Sequence, residues 1–168
     1  MSQPPTFAMR PVTSVDEAEI SRLHALVFGP GRFARSAYRV REGTPFATPF
    51  CRAVVDDAGR LIASLRLTPV TVGGTAGALL LGPLAVHPAH ANQGHGRRMV
   101  ADSFAAAAAA DFRLVLLVGN LAYYARMEFR VVPSGQIRLP GPADPARILA
   151  RELVAGSLTE FRGMVVAA

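Results

Sequence analysis

One segment constrains the fold more than any other. It runs from an apolar stretch, Ala76 to Val86, through a turn containing Gly94 and Gly96 into a helix-forming stretch that ends near Ala110. A second apolar stretch, Leu114 to Val118, follows. Continuous apolar runs are typical of strands buried beside a parallel neighbour, and a helix between them supplies the crossover. The sequence therefore predicts a strand-helix-strand unit with the glycine turn at the start of its helix.

Strands and helices alternate elsewhere in the chain. A capping pattern at Ser14 to Glu17 predicts a helix from about Val15 to Phe28. Strand patterns at Phe50 to Val55 and Leu61 to Val70 flank a hairpin turn and, with the 76–86 strand, predict an antiparallel meander. Short helices are expected at Arg32–Glu42 and Leu121–Met127, and extended segments at Met9–Pro11, 129–132 and 161–167. The segment 144–154 is ambiguous: Asp144-Pro145 is a helix start, but 148–154 could equally be a strand.

Gly82 and Pro83 interrupt the 76–86 strand. Because proline lacks the N–H that a central strand needs, the pair predicts a bulge or a parting of neighbouring strands, with a simple edge irregularity as the alternative. An interruption just upstream of the glycine turn would leave backbone groups of Leu84 and Val86 free for a ligand. Helix N-termini bind anions, and glycines let a phosphate approach the backbone, so we expect a phosphorylated ligand here.

The charge composition excludes several phosphate-binding classes. The formal charge of +6 comes from arginine alone, since the chain has no lysine, and a P-loop requires one. A dinucleotide fingerprint would need a third glycine where Met99 stands. The arginines are scattered from Arg10 to Arg162 without interleaved aromatic residues, so we expect no nucleic-acid partner.

The remaining composition predicts an ordinary reducing environment. Cys51 is the only cysteine, which excludes an internal disulfide, and we expect it to be buried and inert. His87, His90 and His95 have no cysteine or carboxylate nearby, so we expect solvated loop histidines and no metal site. A length of 168 residues fits one domain spanning 1–168. With no secretion signal and no apolar run of about 20 residues, we expect a cytoplasmic protein without a membrane partner.

The motifs around the glycine turn resemble those of the GNAT acetyltransferase superfamily. Its pyrophosphate loop, Gln/Arg-x-x-Gly-x-Gly/Ala, corresponds here to Ala91 through Gly96, and its preceding Leu-x-Val to Leu84 through Val86. Ala91 departs from the usual Gln or Arg. The family's Tyr-x-x-x-Gly-Phe corresponds to Tyr124 through Phe129, with Glu128 in place of glycine. The order of strands and helices agrees with that of the family over almost the whole chain. Within the family, the chain resembles a bacterial branch whose members mostly have no assigned substrate.

The resemblance implies an α/β (α+β) fold with a mixed, mostly antiparallel twisted sheet, a central parallel pair that parts to admit CoA, and helices on both faces. It implies acetyl transfer from acetyl-CoA to a small-molecule or protein amine by direct attack through a tetrahedral intermediate, with no metal. Tyr124 occupies the position of the acid for the leaving thiolate, with a half-buried core tyrosine as the alternative. Asn120 would either cap the short helix or contact the cofactor. The residues expected to bind CoA are Leu84, Val86, Asn92, Gln93, Gly94, His95, Gly96, Arg97, Arg98 and Asn120.

Three questions stay open at this level. No acidic residue lies in Leu79 to Val86, so the general base could be Glu42, Asp56, Glu128 or a water-mediated route. The resemblance places the acceptor pocket between the 28–45 segment and the C-terminal strands. A catalytically silent CoA-binding or sensor domain is the alternative function, and a homodimer is compatible with either.

Overall fold

The structure is a computed structural model that describes residues 2–30 and 36–168. The strands in these residues are β1 (Ala8–Pro11), β2 (Arg52–Val55), β3 (Leu61–Val72), β4 (Thr75–Val86), β5 (Leu114–Val118), β6 (Arg130–Val131), β7 (Ile137–Arg138), β8 (Ile148–Glu152) and β9 (Gly163–Ala167). The α-helices are α1 (Glu17–Phe28), α2 (Ser36–Arg41), α3 (His95–Ala109) and α4 (Leu121–Tyr124). The part of the predicted 32–42 helix before Ser36 lies outside the described residues.

The sheet has the order β1-β2-β3-β4-β5-β8-β6, and every neighbouring pair in it is antiparallel except β4 and β5. At one end, β9 pairs with the last residues of β3, and β7 runs parallel to β9. The meander of β2, β3 and β4 and the parallel pair joined through α3 confirm the fold predicted from the sequence.

The middle of β4, Ala78 to Leu81, is apolar and buried on both faces. Leu79 and Leu81 pack in the core that includes Met99 and Phe104 of α3. The alternate residues, such as Leu80, point to the opposite face and pack in a second core with Val40 of α2. Helices therefore cover both faces of the sheet.

The interruption at Gly82 and Pro83 is both a bulge and a point where strands part. Leu81 lies opposite Leu67 of β3, but Leu84 lies opposite Leu65, so two residues of β4 oppose one of β3. On the other side, the pairing of β4 with β5 stops at Leu80. Beyond that residue, the β4 edge that faces β5 has no strand partner within the described part of the chain, as the sequence predicted.

Two helix boundaries differ from the sequence expectations. The reciprocal capping pattern lies at Thr13 and Asp16, not at Ser14 and Glu17, because the Asp16 carboxylate accepts a hydrogen bond from the Thr13 N–H at 2.9 Å. A 3-10 turn at Ser14–Asp16 then leads into α1. The predicted helix at 121–127 is α4 followed by a 3-10 turn at Ala125–Met127.

The ambiguous C-terminal segment contains both of the predicted structures. Pro145–Arg147 is a single 3-10 turn, capped by the Asp144 side chain, and the chain passes from it directly into β8. The extended segment predicted for 161–167 is β9. The two-residue strand β7 was not predicted.

Candidate functional site

A cleft of about 440 Å³ opens where β4 and β5 part. The bulge forms its floor, the helices α1 and α2 border one side, and the loop before β8 borders another. Its lining residues are Phe28, Ala37, Tyr38, Arg41, Leu81, Gly82, Pro83, Leu84, Val118, Gly119, Asn120, Tyr124, Pro142, Ala143, Asp144 and Arg147. The cleft is therefore bordered by the 28–45 segment, as the resemblance implied for an acceptor pocket, and by the loop before β8, not by the C-terminal strands.

The free edge of β4 presents backbone N–H groups. The His87 N–H donates to the Ile62 carbonyl of the β3 side at 2.8 Å. Because amides alternate in direction along an antiparallel strand, the N–H groups of Leu84 and Val86 point to the other edge, where β5 no longer pairs. Both residues thus lie where the sequence predicted free backbone groups.

The glycine turn supplies a second set of backbone donors next to this edge. Gly94 is the N-cap of α3, has a left-handed backbone (φ 83°), and provides no side-chain cap. Helix geometry leaves the first N–H groups, those of His95, Gly96 and Arg97, without intrahelical partners. A Cβ on Gly96 would lie 2.8 Å from the Tyr123 hydroxyl and 3.7 Å from a Leu84 methyl carbon. The glycine therefore lets α3 start close to β4 and α4.

Side chains of this turn differ in how freely they could meet an anion. The Arg98 guanidinium donates to the Gln93 carbonyl at 2.9 Å and lies 3.2 Å from His95 Nδ1, so it braces the turn. Arg97 is exposed and makes no hydrogen bond or ion pair with the described residues. The exposed Asn92 has a left-handed backbone (φ 61°). An anion at the turn would therefore meet the backbone and the two exposed side chains that make no hydrogen bond to the described residues, those of Arg97 and Asn92.

The expectation of solvated loop histidines is wrong for His95, which is only 2% exposed. Its ring packs edge-on against Phe7 at 4.6 Å and contacts the Gln93 side chain at 3.2 Å. Burial is the main reason that the pKa of His95 is lowered, with the positive charge of Arg98 acting in the same direction. The imidazole therefore supports the turn from the inside, and the side chain is not accessible to a ligand. His87 and His90 are partly exposed.

Tyr124 lines the cleft, and its ring is fixed by neighbours. It packs edge-on against Phe129 at 5.6 Å and Tyr123 at 4.9 Å, while a Cβ on Gly119 would lie 2.7 Å from its ring. Burial raises the pKa of Tyr124 well above that of an ordinary phenol. No described residue bonds to its hydroxyl, which is therefore a protonated donor.

Asn120 caps α4, which was one of the two roles predicted for it. Its side-chain oxygen accepts from the Ala122 N–H at 2.9 Å, and the residue also lines the cleft. Tyr123, by contrast, is 44% exposed and does not line the cleft. The paired tyrosines thus point in different directions.

None of the three carboxylates considered as bases from the sequence lines the cleft. Asp56 holds the hairpin turn through Ala58 and Arg60, and Glu128 pairs with Arg151 at 3.1 Å on the outer surface. Glu42 is exposed away from the cleft. Among described residues, Asp144 is the one carboxylate in the lining. Sequence reasoning noted it only as a helix start, because its helix-capping bond to Ala146 gives the same signal.

The departure from the family pattern at Glu128 has a local structural meaning. Glu128 has a left-handed backbone (φ 66°), a conformation that glycine adopts without strain. It lies outside the cleft, so it does not reshape the pocket. Ala91, the other departure, is exposed beside the turn.

Arg41 is the most unusual charged group in the cleft. It is 7% exposed, and its Nε has no hydrogen-bond partner. Burial, followed by the like charge of Arg66, lowers the pKa of Arg41 to about 10. The Arg66 guanidinium is held by the Thr44 hydroxyl at 2.8 Å and the Pro45 carbonyl at 3.1 Å. No sequence signal separated Arg41 from the other 17 arginines.

Residues 2–30 and 36–168 form neither a metal site nor a membrane-spanning helix. No three His, Cys, Asp or Glu side chains come together there in a way that could hold a metal ion. No helix there combines the length and the apolar character needed to cross a membrane. Cys51 is buried, as predicted.

Residues 18–129, more than half of the chain, match a family model described as "Acetyltransferase (GNAT) family". No curated protein sequence matches the chain. A GNAT family N-acetyltransferase (YhbS) from Escherichia coli, in complex with CoA, superposes with a TM-score of 0.83 at 22% identity, covering 100% of this chain and 93% of that one.

Two further solved structures are similar. A GNAT family acetyltransferase from Brucella melitensis, in complex with acetyl-CoA, has a TM-score of 0.63 at 23% identity and covers 87% of this chain and 96% of its own. The ribosomal-protein-S18-alanine N-acetyltransferase from Escherichia coli has a TM-score of 0.61 at 13% identity, with coverages of 90% and 96%. These likenesses confirm the fold that the sequence motifs implied.

Proposed function

Since the chain belongs to the GNAT acetyltransferase family, we propose that it transfers the acetyl group of acetyl-CoA to an amine. One observation carries the proposal. β4 parts from β5 at the Gly82-Pro83 bulge, and the free amides of Leu84 and Val86 lie next to the N-terminus of α3. The structures of two similar proteins contain CoA and acetyl-CoA, which supports acetyl-CoA as the ligand of this chain.

The backbone can hold both ends of acetyl-CoA. The amides of Gly94 to Arg97 would bind the pyrophosphate at the start of α3, where the helix dipole favours negative charge. Of the side chains in the turn, those of Arg97 and Asn92 are free to join them, and Gln93 and Arg98 would shape the turn. The Leu84 and Val86 amides would bind the pantetheine arm along β4. This arrangement needs no side chain at Ala91.

The chemical step takes place in the cleft. The amine nitrogen attacks the thioester carbonyl, a tetrahedral intermediate forms, and the C–S bond then breaks as the N–C bond is completed. A β4 amide can stabilise the developing oxyanion, and Tyr124 can donate its proton to the departing sulfur. Asp144, directly or through water, can accept the proton that the amine loses.

Ligand binding and turnover test the proposal together. At about 100 times its dissociation constant, acetyl-CoA should stabilise the protein by about 2.7 kcal/mol, a rise in Tm of about 5–10 °C. Thiol release on a panel of amines should then exceed the rate without amine. Stabilisation without turnover on any amine would favour the silent CoA-binding domain, and no stabilisation would refute both.

A further inference from the structure

Arg41 is a buried cation without an anion. It lies at the end of α2 and lines the cleft, yet no carboxylate of the described residues lies within ion-pair distance of it. The charge with the largest effect on its pKa, that of Arg66, is also positive, and its other contact is with the face of the Tyr38 ring, 5.7 Å from Arg41 Cζ. A buried charge is costly unless it is paired and hydrogen-bonded, so this arrangement is expected where a ligand supplies the partner.

The guanidinium also lies beside the bulge of β4. Arg41 Nη1 is 3.4 Å from the position that a Cβ on Gly82 would occupy, so it stands over the bulge where β4 leaves β5. Gly82 has a backbone φ of 130°, which a residue with a side chain rarely adopts. The bulge therefore keeps the space beside Arg41 open.

Neighbouring arginines do not share this role. Arg66 does not line the cleft, and its Nη2 donates to Thr44 and Pro45, although its Nε, like that of Arg41, has no hydrogen-bond partner. Arg147, across the cleft, is exposed, and its Nε donates to the Gly119 carbonyl at 3.3 Å. One buried guanidinium thus remains, which matches the single charge and the two oxygens of a carboxylate better than a phosphate dianion.

We propose that Arg41 binds a carboxylate of the substrate, carried either by the amine acceptor or by the far end of the acyl group. The inference rests on the proposed acyltransferase function, since it names what the same cleft selects. If the acceptor is an amino acid, Arg41 would bind its carboxylate, and Asp144 would be the anionic group of the cleft lining that can contact its amine. With a dicarboxylic acyl group, Arg41 would select the acyl-CoA instead.

Paired substrates separate the two sources. In one arm, L-leucine is compared with its carboxamide, and L-glutamate with its α-carboxamide and its side-chain carboxamide, using acetyl-CoA. In the other, succinyl-CoA is compared with butyryl-CoA, using amines without a carboxylate. We expect kcat/KM to favour the carboxylate member by about 100-fold in one arm, and the arm that shows this names the source.

Three variants test whether Arg41 is responsible. Arg41→Gln should reduce the preference to below about 10-fold, Arg41→Lys should keep part of it, and Arg39→Gln, an exposed arginine on the same helix, should leave it unchanged. A wild-type enzyme that favours the carboxylate member in neither arm, or a full preference in Arg41→Gln, would overturn the inference.

A titration without CoA keeps this inference distinct from the proposed function. Succinate should raise the Tm of the wild type and of Arg39→Gln but not that of Arg41→Gln, which should itself be more stable without ligand. If no acyl-CoA is consumed with any amine, the acyltransferase proposal fails, and the titration alone decides whether Arg41 binds carboxylates. An equal response of wild type and Arg41→Gln to succinate would overturn the carboxylate site.

Discussion

The two sides of the site are built from different parts of the chain. The backbone wall consists of the β4 edge at Leu84 to Val86 and the turn at Gly94 to Arg97, and its donors are main-chain amides. The side-chain wall consists of Tyr38, Arg41 and Asp144, which come from α2 and the loop before β8. A backbone wall suits a ligand that is constant across a family, whereas a side-chain wall changes its chemistry with one substitution.

The largest effect is expected at Tyr124, where the two walls meet. Tyr124→Phe removes the hydroxyl of a residue that lines the cleft but keeps the ring packed against Phe129. A positioned general acid contributes about 100-fold or more, so kcat should fall by about 100-fold while the dissociation constant of acetyl-CoA stays unchanged. Steady-state kinetics and calorimetric titration measure the two quantities.

Tyr123→Phe is the matched control, because it removes a neighbouring hydroxyl that lies outside the cleft. Wild-type kcat in Tyr124→Phe would show that the tyrosine only packs. An equal loss in both variants would show that disturbing the tyrosine pair, and not a missing acid, lowers the rate.

An alanine at Gly94 should weaken the backbone wall. Gly94 and Gly135 both have φ near 83° and open space where a Cβ would stand. Each substitution by alanine should therefore cost about 1 kcal/mol of stability, because both strain a left-handed residue. Only Gly94→Ala should also raise the dissociation constant of acetyl-CoA, by about 10-fold, since its strain displaces the amides of the turn.

Urea unfolding and acetyl-CoA titration of the two variants separate these effects. Equal affinities for acetyl-CoA would mean that the turn does not bind the cofactor.

A smaller effect is expected at Asp16, which holds the start of the helix that leads to the side-chain wall. A hydrogen bond and ion pair with Arg10 at 2.8 Å are the main reason that the pKa of Asp16 is lowered to about 2. A lowered pKa stabilises the folded state above the unfolded pKa of about 3.9, and this stabilisation is lost as the pH falls toward about 2. Because Arg10 is partly exposed, we expect about 1 kcal/mol at neutral pH.

Asp16→Asn should therefore be less stable than wild type by that amount at neutral pH, with the difference vanishing between about pH 4 and pH 2. Urea unfolding at several pH values measures it. A difference independent of pH would assign the effect to packing and not to the charge.

The two walls also differ in how far the sequence predicts them. The β4 strand, the bulge at Gly82-Pro83 and the turn at Gly94 follow from local residue types, because glycine and proline restrict the backbone wherever they stand. The side-chain wall joins residues about 100 positions apart in the chain, such as Arg41 and Asp144. Nothing local to Arg41 indicates that the fold buries it without a partner.

The same reason explains where the sequence expectations fell short of the structure. The helix signal at Asp144-Pro145 is correct for one turn, but pairing of β8 with β5 ends it at Ile148. The strand β7 exists because β9 lies beside it, not because of its own two residues. His95 looked solvated because its burial comes from Phe7, which is distant in the chain.

An amide NMR titration with acetyl-CoA tests the backbone wall most directly. If acetyl-CoA lies along β4 and at the start of α3, the largest shifts of the ¹H–¹⁵N signals should occur at Leu84, Val86, Gly94, Gly96 and Arg97. The Gly135 signal, in the turn before β7, should not move. The proposed site would be contradicted if, at saturating acetyl-CoA, the largest shifts occurred at other residues or the signals of these five residues did not move.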